Sequence, residues 1–503
     1  MTVTSDATGT TAGARLPTRW LVLAVICLAQ LTVLLDNTVL NVAVPSLTRD
    51  LGASTADVQW IINAYSLVQS GLLLAGGSAA DRYGRKKMLL VGLALFGVGS
   101  LAAGFADSTG ELIAARAGMG VGGALLLTTT LAVVMQIFDA EERLRAIGVW
   151  AAVNALGFAA GPLLGGVMLA HFRWGAIFLV NIPVVLLGLV AAWALVPESK
   201  SAAGQRPDLL GALLSTVGMA AVVFAVVSGP EHGWGTGRVL LPALGGVLVL
   251  GVFALWESRV PHPMLDLRFF RDRRFVGAIV GVVLITFGST GALFLLTQQL
   301  QFVRGYTPLE AGLRTAPFAL TVVALNFTGI STRLLRRLGL PLAIALGVGT
   351  LAGGFAVVGA FPAEGYGVLL TGLVLMGAGC ALANPAIAEA IMGAIPPEKA
   401  GAGAGVDGTM SELGGSLGVA VLGAVMNSRF TALLPVGLAG AGSLPAALAD
   451  ARTEGERADV LDAFASGVET SQLAGAAVVL LGGALAALLL HRAERRKGDA
   501  GKA

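Results

Sequence analysis

Three ionisable residues stand inside apolar runs long enough to cross a membrane: Asp36, Arg116 and Glu412. A charge at such depth is costly, so a residue kept there is either paired or at work. Asp36 lies about eight residues before the end of its run, ~12 Å deep at 1.5 Å per residue. Arg116 lies about four residues into a run that enters from the same side, ~6 Å deep. The two can therefore meet. A carboxylate paired with Arg or with a cationic substrate in one state, and desolvated in another, binds a proton in one and releases it in the other. That is the chemistry of a proton-coupled carrier; a fixed ion pair tying two helices together is the plain alternative. Glu412 is about ten residues into its run, ~15 Å deep and near mid-membrane. Asp407, closer to the membrane surface, joins these as a proton-coupling candidate, although a solvated helix start would also explain it. Glu389 and Arg314 are further ionisable residues near the ends of apolar runs, and Arg314 is placed to snorkel outward.

Uncharged polar residues in other runs are candidates for lining a substrate cavity: Asn63, Tyr65, Gln69, Asn154, Gln298, Gln299 and Gln301. Each also suits an ordinary interhelical hydrogen bond. Gly157, Gly161 and Gly165, with Pro162 beside Gly161, form a small-residue stripe at helical spacing, and Gly414, Gly415 and Gly418 form another. Such stripes let helices approach closely and slide.

The elements that must position these residues follow from composition. Hydrophobic residues make up 55% of the 503 and charged residues 13%, with 70 glycines and a mean hydropathy of +0.81. A soluble domain carries ~25% charge, and disordered chains are poorer in apolar residues. An all-α integral membrane protein is expected. Apolar runs of about 20 residues fall near 20–44, 58–80, 87–106, 112–137, 146–170, 175–196, 209–228, 239–256, 275–303, 308–332, 340–361, 366–393, 403–427 and 472–490, fourteen in all. The first 19 residues are polar, and the run after them is long enough to remain as an anchor. Most of the 33 Lys and Arg residues lie in loops on the side of the N-terminus; Arg49, Arg173, Arg238, Arg304, Arg429, Arg452 and Arg457 lie on the other. The positive-inside rule then puts both termini in the cytoplasm of a multi-pass protein of the cell membrane. The acidic segment 428–471, with a short helix from Gly455 to Ala465, is placed outside.

The net charge of +3 gives no footprint for nucleic acid, and no G-x-x-x-x-G-K-[ST] loop is present for ATP. The four histidines have no metal-ligand spacing. No enzymatic activity, metal or cofactor is expected. Cys27 and Cys380 sit in apolar runs and read as packing residues.

The runs also repeat. The glycine stripe of the fifth recurs in the thirteenth, Gly118, Gly120 and Gly122 of the fourth recur as Gly377 and Gly379 of the twelfth, and the loops after the second and tenth are both basic. This register gives a cytoplasmic tail 1–19, a six-helix bundle 20–200, two inserted helices within 201–260, a second six-helix bundle 261–490 and a tail 491–503. Two such halves place a substrate site between them near the midplane, reached by rocking.

The motifs resemble a known family. Gly77-Ser-Ala-Ala-Asp81-Arg82-Tyr-Gly84-Arg85-Lys86-Lys87 is similar to the loop G-x-x-x-D-R-x-G-R-[RK] of the major facilitator superfamily. Leu35-Asp36-Asn37-Thr38, Arg116-Ala-Gly118-Met119-Gly120, the stripe around Gly161-Pro162, Phe172-Arg173-Trp174 with Phe178-Leu-Val-Asn181-Ile-Pro183, Gly305-Tyr-Thr-Pro308, and Glu412-Leu-Gly414-Gly415 resemble its fourteen-span drug:proton antiporters. The family has Gln at Met119, and the second-half loop lacks the Asp. The resemblance covers residues 20–490 and implies the major facilitator fold, two six-helix bundles plus two extra central spans. It implies that Gly77, Asp81, Arg82, Gly84 and Arg85 latch the halves together on the cytoplasmic side, and that Gly157, Gly161, Pro162 and Gly165 serve an exporter's conformational gating. The function implied is proton-coupled export of amphiphilic drugs or antibiotics by a monomer, with protons, the lipid bilayer and the substrate as partners. A narrow exporter of a metabolite, lipid or siderophore is the alternative, as is a transporter-like sensor that moves nothing. Proton-coupled peptide importers also carry two extra central spans, but their E-x-x-E-R motif is missing.

Overall fold

Lipid offers no hydrogen bonds to the backbone, so apolar runs of this length must satisfy their peptide groups internally, as helices. The computed structural model describes residues 18–51, 55–199, 208–261, 263–360, 365–438 and 444–500, and these contain helices and no strand. The expected tail residues 1–17, the linker 201–207 and part of the loop 428–471 (439–443) lie outside the described residues. The helices are α1 Arg19–Leu51, α2 Thr55–Tyr83, α3 Arg85–Gly104, α4 Thr109–Ile137, α5 Ala140–His171, α6 Ala176–Leu179, α7 Asn181–Leu195, α8 Leu209–His232, α9 Gly237–Glu257, α10 Arg273–Gln298, α11 Pro308–Phe327, α12 Ile330–Ala360, α13 Tyr366–Met392, α14 Ala400–Leu433, α15 Leu444–Asp450 and α16 Glu454–Ala500. Among the described residues, 11 helical segments are long and apolar enough to cross a membrane. Helices α2, α5 and α11 are of comparable length and pack among them.

Side chains begin several helices by accepting from free N–H groups of the first turn. Ser108 caps α4, Asp139 caps α5, Asp208 caps α8 and Asp272 caps α10, while Thr307 and Glu310 form a capping box on α11. Three expected runs differ in detail. The sixth is broken at Val180 into α6 and α7, where Pro183 supplies no N–H to the first turn of α7. The eleventh extends back to Ile330 as a shorter helical piece joined through Gly339, whose φ of 75° is the left-handed conformation open to glycine. The fourteenth does not begin at 472: α16 runs unbroken from Glu454, because Ala, Glu and Arg favour helix there and no proline interrupts them.

Two hydrophobic cores result. One draws on α1 to α7, with Ile26, Leu40, Tyr65, Phe96 and Phe178 among its most buried members. The other draws on α10 to α14 and α16, around Phe275, Ile344, Leu351 and Phe355. The halves meet along α2 with α14 and α5 with α11. The inserted α8 and α9 pack on each other, and α8 leans on both α2 and α14.

Candidate functional site

Asp36 of α1 and Arg116 of α4 are both buried and form an ion pair through Asp36 Oδ2 and Arg116 Nη1. The rest of each side chain is also held. Arg116 Nε donates to the Ile61 carbonyl at 3.2 Å, and its guanidinium lies 4.3 Å from the centroid of the Tyr65 ring. Asn181 of α7 donates from Nδ2 to Asp36 Oδ1 at 3.3 Å and to Ser100 Oγ of α3 at 3.0 Å. Ser100 in turn donates to the Phe178 carbonyl at 2.9 Å. Arg116 of α4 and Asn181 of α7 thus bond the Asp36 carboxylate of α1, and α2, α3 and α6 hold those partners in place. A pair this deep persists only because its remaining lone pairs and protons are satisfied, since breaking such a pair costs about 3–5 kcal/mol.

Tyr65 joins this cluster to the second half. Its hydroxyl accepts from Gln69 Nε2 at 2.9 Å, and Glu412 of α14 is near enough to act on it electrostatically. Gly123 of α4 makes room for this arrangement: a Cβ there would lie 2.6 Å from both Gln69 Nε2 and the Tyr65 hydroxyl. The structure therefore brings Asp36, Arg116, Tyr65 and Gln69 together, with Glu412 of α14 within electrostatic range of Tyr65. Asp407 is buried on the same helix as Glu412, and Asn63 is half-buried on α2.

Other polar residues go elsewhere. Asn154 of α5 accepts from Gln30 Nε2 of α1 at 3.0 Å, Gln30 Oε1 accepts from Thr130 of α4 at 3.1 Å, and Trp150 Nε1 donates to Thr130 at 3.3 Å. This network ties three helices of one half together. Gln298 ends α10, and Gln299 and Gln301 lie in the π-helical turn that follows it. Gln299 lines a cavity with Arg304, Tyr306, Arg314 and Tyr366, built wholly from the second half. Arg314 covers the Tyr306 ring at 3.8 Å.

The basic loop forms a second site. Asp81 accepts from the backbone N–H groups of Gly401 (2.8 Å) and Ala402 (2.9 Å), the first turn of α14. An anion belongs at such a helix start. Arg85 donates to Asp81 at 2.9 Å, to the Pro397 carbonyl at 2.7 Å and to Gln136 at 3.2 Å. Gly77 meets the Gly401 backbone so closely that an added Cβ would collide with the Gly401 carbonyl. Gly84 has a φ of 110°, and Arg82 lies 5.4 Å from the Tyr83 ring. The glycine stripe of α5 has a different setting. Gly157, Gly161 and Gly165 pack against Leu34, Thr38 and Val39 of α1, within one half rather than between the two. The side chain of Pro162 lies outside the described residues. Gly414 and Gly418 pack in the same way on α10.

Sequence reasoning missed Asn181, Ser100, Gln30 and Thr130 as members of these networks. Asn181 carried a signal, since it stands in the segment Phe178 to Pro183. The other three are single polar residues in apolar runs, where spacing alone does not reveal the partner.

The profile of the Major Facilitator Superfamily matches residues 26–419. The multidrug efflux pump LfrA of Mycolicibacterium smegmatis is 34% identical over 96% of this chain and 99% of its own length. The methyl viologen resistance protein SmvA of Salmonella typhimurium is 36% identical, with 84% and 85% covered. The puromycin resistance protein pur8 of Streptomyces alboniger is 37% identical, with 90% and 89% covered. Among solved structures, the human organic anion transporter MFSD10 aligns with a TM-score of 0.66 at 17% identity, covering 94% of this chain and 100% of that one. At that identity the match speaks for the fold alone. A profile match over most of the chain and relatives above 30% identical over most of both lengths show that this multi-pass membrane protein belongs to the major facilitator superfamily.

Proposed function

We propose that the chain is a proton-coupled exporter of amphiphilic drugs or antibiotics. It acts as a monomer in the cell membrane, with fourteen spans and both termini cytoplasmic. Residues 20–200 and 261–490 form the rocking halves and the inserted pair lies within 201–260. The efflux and resistance functions in the names of its relatives support the substrate class and the direction. The observation that carries proton coupling is the buried Asp36–Arg116 pair, with Glu412 of the other half within electrostatic range of the same Tyr65.

The cycle follows from these positions. Substrate enters from the cytoplasm or inner leaflet while the Asp81 end is open. Closure seats Asp81 on the start of α14, and the halves open outward. A proton arriving from outside neutralises Asp36 or Glu412, weakens the hold on a cationic group and releases the substrate. Return to the inward state discharges the proton. Asp36→Asn keeps the shape and removes the ionisable group. Drug-coupled proton flux in proteoliposomes is expected to vanish in this variant, and normal coupled flux would sink the assignment.

A further inference from the structure

The cavity beside Gln299 takes no part in the proposed cycle. It lies where α10 gives way to α11 and where α13 begins, at the end of the second half opposite to Asp81, and encloses about 470 Å³ with its mouth included. Local backbone geometry builds it. α10 ends in the π-helical turn Gln299–Val303, an arrangement frequent at functional sites. Arg304 N donates to the Gln299 carbonyl and Tyr306 N to the Leu300 carbonyl, both at 3.1 Å, and Gly305 between them has a φ of 68°. This tight turn sets Arg304 and Tyr306 in the wall that Gln299 also lines. From the start of α13, the Tyr366 hydroxyl donates to the Arg314 carbonyl of α11 at 3.1 Å.

The charges lining this cavity are of one sign. Arg304 and Arg314 line it, and no acidic residue does, among the described residues. Glu310, one turn before Arg314, is near enough to interact with it electrostatically, but its carboxylate is engaged at the start of α11. There Thr307 N and Oγ1 donate to Glu310 Oε2 at 2.9 and 3.0 Å. The Arg314 guanidinium lies 3.8 Å from the centroid of the Tyr306 ring. Stacking of this kind fixes the plane of a guanidinium and leaves its N–H edge for a partner, and that edge matches two oxygens of a phosphate. The surroundings are apolar. Leu309, Leu313 and Leu320 are exposed along α11, and Leu370 and Val374 follow Tyr366 at four-residue spacing along α13. Residues four apart share a helix face, and the two helices pack on each other. In a membrane-spanning chain these stripes face acyl chains and run from the cavity toward the midplane.

We infer that this cavity binds the phosphate of an anionic phospholipid of the outer leaflet, whose acyl chains lie along α11 and α13. Arg304 and Arg314 donate to the phosphate oxygens, and the Gln299 amide meets a headgroup hydroxyl. A zwitterionic headgroup fits worse, because its ammonium meets two guanidinium groups and no carboxylate. Bound there, the lipid bridges the turn after α10 and the start of α13 and braces that end of the second half. The leaflet follows from the proposed orientation; the site depends on neither the direction nor the coupling of transport.

The test uses the full chain purified in detergent, with lipid binding followed by native mass spectrometry. Dioleoylphosphatidylglycerol is expected to bind more tightly than dioleoylphosphatidylcholine. Arg304→Gln and Arg314→Gln are each expected to weaken phosphatidylglycerol about tenfold, the loss of one hydrogen bond to a charged group, and to leave phosphatidylcholine unchanged. Arg429→Gln removes an exposed arginine outside the cavity and is expected to change neither. Glycerol phosphate carries the same anion without chains and is expected not to displace the lipid. Phosphatidylglycerol affinity unchanged in both cavity variants, or equal to that of phosphatidylcholine in the parent chain, would overturn the site. Displacement by glycerol phosphate would assign the cavity to a free phosphate and overturn the lipid. Arg304 is exposed, so its variant keeps the test decisive if Arg314→Gln, which also loses the Tyr306 contact, fails to fold. Binding needs neither turnover nor a gradient, so its failure is distinct from failure of proton coupling at Asp36.

Discussion

At the residue scale, Asp36 and Arg116 form a unit whose parts are unequal when removed singly. Arg116→Ala leaves a buried carboxylate with Asn181 as its remaining donor, and about 3–5 kcal/mol of stability is expected to go. The double variant Arg116→Ala/Asp36→Asn removes the stranded charge and is expected to recover part of that loss. Thermal unfolding of the single and double variants in detergent checks this, and equal melting temperatures would contradict a coupled pair. Asn181→Ala is expected to cost less, about 1–3 kcal/mol, because it strips a donor from Asp36 and Ser100 and leaves the ion pair in place. The meeting of Asp36 and Arg116 was legible in the sequence, since depth along a helix follows from counting residues. The contribution of Asn181 was not. Its reach to Asp36 depends on the rotation of α7 about its axis after the break at Val180, and a run that is apolar all round gives no sign of that rotation.

At the element scale, glycines mark where helices touch, and their partners decide what a substitution does. Gly77→Val puts a branched side chain against the Gly401 carbonyl and must push α2 away from α14. A cysteine at Ala402 is then expected to react faster with a membrane-impermeant maleimide applied from the cytoplasmic side. Gly118→Ala is the control, because a Cβ there meets nothing within 4 Å, and the same reagent is expected to show no change. Equal reactivity in Gly77→Val and the parent chain would mean that the α2–α14 contact does not hold this end shut. The stripes on α5 and α14 were readable as close helix contacts, but not which helix they approach. Both settle on a neighbour in their own half, α1 and α10, rather than on the surface between the halves. The unbroken α16 was hidden for a related reason. Its polar first turns resemble a loop by composition, yet Phe464 packs edge-on against Phe430 at 5.7 Å and Phe302 at 6.2 Å, and these contacts hold the segment against α14 and the turn after α10.

At the scale of the whole molecule, the proposed cycle has two halves exchange positions, and the balance between states is then set by contacts that exist in only one of them. Asp81 is such a contact. Its bonds to Gly401 N and Ala402 N join the two halves and require the closed Asp81 end, whereas its bond to Arg85 lies within one half; the repeat of the basic loop after α11 offers no second copy, because it carries arginines and no aspartate. Asp81→Ala therefore removes stabilisation from one state and leaves the Asp36 cluster untouched. Charge-assisted bonds of this kind contribute about 1.5–3 kcal/mol each, and water compensates part of that once the end opens. A shift of at least about tenfold toward the inward-open population is expected, since 1.4 kcal/mol suffices for it. Spin labels at the exposed Lys87 and Glu398 report the separation across this end, and the long-distance population is expected to grow in Asp81→Ala. Drug export is expected to fall in the same variant, and Asp81→Asn, which keeps the shape and an acceptor for the Gly401 and Ala402 N–H groups, is expected to shift the distances less. An unchanged distance distribution would show that the seam is held by packing of α2 on α14 alone, and the basic loop would then be an anchor to the membrane surface rather than a latch.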